Sequence, residues 1–193
     1  MELFKSKFTE FAQCYDSDIK NVFKSEKYLI EEKWYKHLLI DVLGQILAKD
    51  NIASGKFADN LLLLIKKKID YRRIIGDEKF EFYKSKGASS EEDMEPWSSF
   101  FNLLGGWFPT WANLKILLEN RQAEILSPHF LDLLYSDKPL AERIDSFQDK
   151  ISKLYGELFK EGKMRKAPKA AVIPLNLIAI FLTCADQNKY YFY

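Results

Sequence analysis

The chain has 193 residues, 47% hydrophobic and 30% charged, with 29 Lys and Arg against 28 Asp and Glu. That balance rules against intrinsic disorder, which needs low hydropathy and high net charge, and against a general electrostatic pull toward nucleic acid or membrane. The 8 Gly and 6 Pro are too few for a turn-dense β-sandwich.

Helical spacing dominates from the start. Leu3, Phe4, Phe8 and Phe11 make one stripe of a first helix, and Asp16 and Ser17 supply capping chemistry for the next. Between 19 and 47 apolar residues keep a helical period, too long for one ordinary helix, so a break is expected near 25–27. Asp50, Asn51, Ser54 and Gly55 form a loop, and 57–75 reads as a single helix. Phe80 and Phe82 flank Glu81, an alternation that suits one strand or a loop. The Ser-, Gly- and acid-rich stretch 84–96 reads as a flexible connection between helical subdomains at 1–83 and 97–193. After the aromatic stretch 97–111, Pro109 marks a helix to about Asn120, and Ser127-Pro128 starts a short helix ending near Tyr135. Pro139 sits in the first turn of a helix reaching about Lys160, with Leu140, Ile144, Phe147, Ile151, Leu154 and Leu158 on one face. The last helix is 175–185.

The expected fold is therefore all-α, a compact multi-helix domain built as two packed helical subdomains. The apolar run 170–185 is shorter than the ~20 residues of a membrane span and carries Pro174 and Asn176, so it reads as a core helix. The N-terminus lacks the apolar segment of a signal peptide. With Cys14 and Cys184 isolated at opposite ends, the pattern points to a reducing cytoplasm.

No catalytic constellation is present. There is no GxxxxGK[ST], GxGxxG, GxSxG or HExxH. The two histidines, His37 and His129, have no ligand set around them, and neither a metal nor another cofactor is expected. Asp77-Glu78-Lys79 and the pair Glu157 and Lys160 carry nuclease-like residue types without the strand hairpin such a site needs. The aromatic stretch 97–111 could line a pocket for a flipped base, but next to Gly105-Gly106 it reads better as core packing.

Two basic clusters remain. Lys66, Lys67, Lys68, Arg72 and Arg73 gather near Tyr71, Phe82 and Tyr83, and Lys163, Arg165, Lys166 and Lys169 follow Lys160 in a loop. Cations neutralise phosphates and aromatic rings stack on unpaired bases, which makes these the candidate nucleic-acid-binding residues. The plainer account is that Lys and Arg favour helix C-termini and exposed surface.

Residues 133–147 read LLYSDKPLAERIDSF. Gly156, Gly162, the apolar helix 175–185 and the closing stretch DQNKYYFY at 186–193 follow. In order and spacing this resembles a segment that precedes the ATPase domain of McrB-like AAA+ proteins of restriction and phage-defence systems. The likeness covers 129–193. Gln187 stands where that family usually has proline, and the loop before the last helix is more basic and less glycine-rich. The resemblance implies a GTP- or ATP-driven motor that works with a separate nuclease subunit. It also implies that this stretch continues into a linker and an AAA+ core. N-terminal regions of that family commonly recognise DNA, and none of its catalysis falls on residues here. The expected role is thus a non-catalytic module that recognises target DNA, the alternative being a protein-interaction or assembly module without DNA contact.

Overall fold

The computed structural model describes residues 34–87, 108–164, 173–186 and 189–190. Among them are nine helices and no strand: α1 Trp34–Ile46, α2 Lys49–Ala53, α3 Lys56–Ile65, α4 Tyr71–Ile75, α5 Asp77–Gly87, α6 Phe108–Asn120, α7 Ala123–Tyr135, α8 Leu140–Lys160 and α9 Leu175–Ala185. The fold is all-α, as the apolar spacing predicts.

One core joins these helices. Phe130 of α7 stands at its centre, with ring centroids 4.9 Å from Phe57 of α3, 5.2 Å from Phe147 of α8 and 5.8 Å from Phe181 of α9. Offset and edge-on aromatic pairs at such distances contribute beyond the area they bury. The amphipathic α8 turns Arg143, Phe147, Ile151, Leu154, Tyr155 and Leu158 inward at three- and four-residue intervals. Helix α7 is also tied to the segment that follows α1 by polar contacts: Ser127 Oγ donates to the Ile52 carbonyl at 2.7 Å, and Tyr135 OH donates to the Leu47 carbonyl at 2.8 Å. Residues on both sides of 84–96 therefore share this core. Of that stretch, 84–87 form the last turn of α5, while 88–96 lie outside the described residues. The expected first helix, the break near 25–27 and most of the aromatic stretch lie outside them too.

Helix α1 packs directly on α9. A Cβ added to Gly44 would stand 2.8 Å from the Cys184 carbonyl oxygen, so the two backbones approach more closely than any side chain allows. Among the described residues no helix is long and apolar enough to cross a membrane.

Besides Asp50 and Asn51, which lie in α2 and leave only Ser54 and Gly55 of the expected loop, three local expectations need correction. The stretch 57–75 is two helices. Helix α3 stops because Lys68 N–H donates to the Leu63 carbonyl at 2.9 Å and Lys67 N–H donates to the Leu64 carbonyl at 3.0 Å. Lys67 takes the left-handed conformation, φ 55°, that this Schellman turn requires. Asp70 then caps α4, its carboxylate accepting from Arg73 N–H at 3.1 Å.

The second correction concerns Phe80 and Phe82, which lie in a helix. The structural pair is Phe80 and Tyr83, three residues apart and both buried, while Phe82 is exposed. Tyr83 OH donates to Asp41 Oδ2 of α1 at 2.8 Å, and burial followed by that bond raises the phenol's pKa. Third, α7 begins at Ala123 and carries Pro128 inside it. Ser127 is not a cap there, because its hydroxyl serves the Ile52 carbonyl instead.

Candidate functional site

The first basic cluster straddles the α3 end and α4, and much of its charge is matched inside the protein. Lys66 Nζ lies 2.7 Å from Glu119 of α6. Arg72 is held between Asp77 at 2.9 Å and Glu81 at 2.6 Å, and its guanidinium lies 4.5 Å from the Phe80 ring centroid. The Asp77 bond is the main cause of its raised pKa. Arg73 donates to Asn60 Oδ1 at 3.3 Å, and Lys68 is exposed with no carboxylate partner among the described residues. Lys67 forms the turn described above. In the second cluster Lys163 is exposed just past α8, where its charge helps lower the Glu161 pKa, after the larger effect of the Arg121 hydrogen bond. Arg165, Lys166 and Lys169 lie outside the described residues.

Arg73 also belongs to a second feature, absent from the sequence reading. An open groove of about 780 Å³ runs between α1, α2, α3 and α4. Its floor is Ile46, Leu62, Leu63 and Ile74, and its polar rim is Gln45, Asn51, Lys56, Asp59, Asn60 and Arg73. Concave sites with an apolar floor and a few convergent polar groups are where proteins usually hold ligands. Asn51 Nδ2 donates to the Gln45 backbone carbonyl at 2.6 Å. The only signal in the sequence is that Gln45, Asn51 and Asn60 fall within sixteen positions of one another. That spacing means nothing until the chain turns twice between them.

The two phrases of the family resemblance meet in space. Arg143, from the PLAER phrase, is buried, with only 3% of its surface exposed. It donates to the Leu133 carbonyl at 2.9 Å and to Tyr190 OH, from the closing phrase, at 2.5 Å. Its guanidinium also lies 5.9 Å from the centre of the Tyr190 ring. Among the described residues no carboxylate forms an ion pair with it and no group accepts from its Nε. A buried cation held by neutral acceptors is costly unless each bond is kept.

Other chemistry-bearing residues stay apart. His129 is half-buried, and burial lowers its pKa more than nearby Lys150 does. Cys184 is buried and its thiol pKa is pushed up to about 12. Among the described residues no three His, Cys, Asp or Glu side chains converge as a metal site would need. No protein-family profile, no curated protein and no solved structure matches this chain.

Proposed function

We propose that this chain is a non-catalytic module of a McrB-like restriction ATPase, and that it docks a protein partner rather than DNA. The observation that carries the choice is internal charge matching. Lys66 and Arg72, two of the five cations in the main basic cluster, already face Glu119, Asp77 and Glu81. DNA affinity comes largely from counterions released as cations meet phosphates, and a cation already neutralised by a carboxylate adds little to that release. The net charge of +1 points the same way. The family part of the reading rests on the resemblance of residues 129–193 alone.

Target-DNA recognition remains the second reading. It is favoured by Lys68 and Arg73, which are exposed and have no carboxylate partner among the described residues. Two measurements separate the readings. In the first, the chain is titrated with labelled duplex and single-stranded DNA at about 50 and about 200 mM salt. In the second, it is titrated with the separately produced nuclease subunit that the resemblance implies. Partner docking predicts co-migration with the nuclease subunit and no salt-dependent DNA binding at micromolar concentration. DNA binding that falls steeply with salt and is lost in Arg73→Glu, with no co-migration, overturns it in favour of DNA recognition.

A further inference from the structure

We infer that the groove between α1, α2, α3 and α4 receives an extended acidic peptide segment of the partner. This rests on the partner-docking reading above and names the chemistry of what is docked. The argument begins with two carboxamides. Asn51 gives its Nδ2 to the Gln45 carbonyl, which leaves Oδ1 open as an acceptor. Asn60 gives its Oδ1 to Arg73, which leaves Nδ2 open as a donor. Both assignments are forced, because a carbonyl oxygen only accepts and a guanidinium only donates. One open acceptor from α2 and one open donor from α3, beside the same groove, complement the N–H and C=O of a peptide unit.

The rest of the lining decides between ligand classes. A nucleobase edge also offers a donor and an acceptor, but unpaired bases are held largely by stacking on aromatic rings. Among the described residues no aromatic side chain lines this groove. Its floor is aliphatic, suited to the apolar side chains that an extended segment points to one side. Among the described residues the rim carries Lys56 and Arg73 against one carboxylate, Asp59, and that local balance favours acidic flanking residues.

The test uses the whole chain, labelled with nitrogen-15, and three probes. They are a short blocked peptide of alternating leucine and glutamate, its leucine–lysine counterpart, and single-stranded oligo-dA. The expected result is saturable shifts of the Asn51 and Asn60 side-chain NH₂ signals with the acidic peptide alone, at concentrations up to about 1 mM. Arg73→Glu and Asn60→Leu should each weaken binding by about ten-fold or more, while the exposed Lys153→Glu leaves it unchanged. The wild-type shifts keep the proposal falsifiable if a variant fails to fold. Acidic peptide that leaves both signals unmoved, or that shifts residues elsewhere, sinks the groove and leaves partner docking standing. Tighter, salt-sensitive binding of oligo-dA at these same residues overturns both.

Discussion

Gly44 offers the sharpest check on how the helices are packed. It lies inside α1, where Gly costs about 1 kcal/mol relative to Ala, so on helix propensity alone Gly44→Ala should stabilise the protein. The packing opposes this. The added Cβ would lie 2.8 Å from the Cys184 carbonyl oxygen, several tenths of an ångström inside ordinary carbon–oxygen contact. The atom it meets is backbone in the last turn of α9, so no side chain can rotate away. Relief requires moving α9, whose Ile178 and Phe181 are buried in the core. Overpacking of this kind costs about 1–3 kcal/mol, which outweighs the propensity gain and leaves a net loss near 1 kcal/mol. Gly44→Val should lose more, because its branch points enlarge the clash and its propensity gain over Gly is smaller. The assay is urea denaturation followed by circular dichroism, with the midpoint falling in the order Gly, Ala, Val and the slope unchanged. A Gly44→Ala variant as stable as the parent, or more stable, would falsify the close approach of α1 and α9.

Three further outcomes follow from the same structure. Lys67→Gly removes a side chain from a left-handed position and should raise stability by about 0.5 kcal/mol, read as a higher urea midpoint; a lower midpoint would show that Lys67 contacts outweigh its backbone strain. Tyr190→Phe takes away an acceptor from the buried Arg143 and should cost about 1–3 kcal/mol; a thermal midpoint equal to the parent's would show that water already serves that guanidinium. In a Cys14→Ala background Cys184 should resist a disulfide reagent at pH 8 until the protein unfolds. Its folded pKa, about 12, lies above the free-thiol value near 8.5, so the folded form holds its proton longer. Stability from this group is complete below the free-thiol value and declines as pH climbs toward 12. Rapid labelling of folded protein at pH 8 would contradict the burial.

The legible parts of the fold are those in which one helix face meets the core. The stripe from Ile144 to Leu158 gave α8 almost to the residue, and Pro109 and Pro139 marked true starts. The failures have two causes: a local signal that is missing, or one that a distant partner overrules. Helix α8 ends in a Schellman turn with Gly162 at φ 73°, where Gly is the expected residue. Helix α3 ends in the same turn with Lys67 at that position, so no punctuation in the sequence announced it. Phe80 and Phe82 imitated a strand, but the second buried position was Tyr83, fixed by its bond to Asp41. Ser127-Pro128 imitated a helix start while its hydroxyl was committed to a carbonyl seventy-five residues away.

The candidate sites divide along the same line. A basic cluster is visible in one dimension, because charge is a property of residue type. Whether that charge is available to a ligand depends on which acids the fold brings against it. Glu119 lies more than fifty positions from Lys66, and nothing local pairs them. The groove is the converse case. Gln45, Asn51 and Asn60 carry no joint signal until α1, α2 and α3 fold back on one another. Arg143 falls between the two. Its phrase was readable, but not that the arginine is buried, nor that Tyr190, forty-seven residues on, completes its hydrogen bonding. An exposed arginine in a charged phrase predicts a surface contact, whereas this buried one, with no counter-ion among the described residues, ties Tyr190 to α7 and α8.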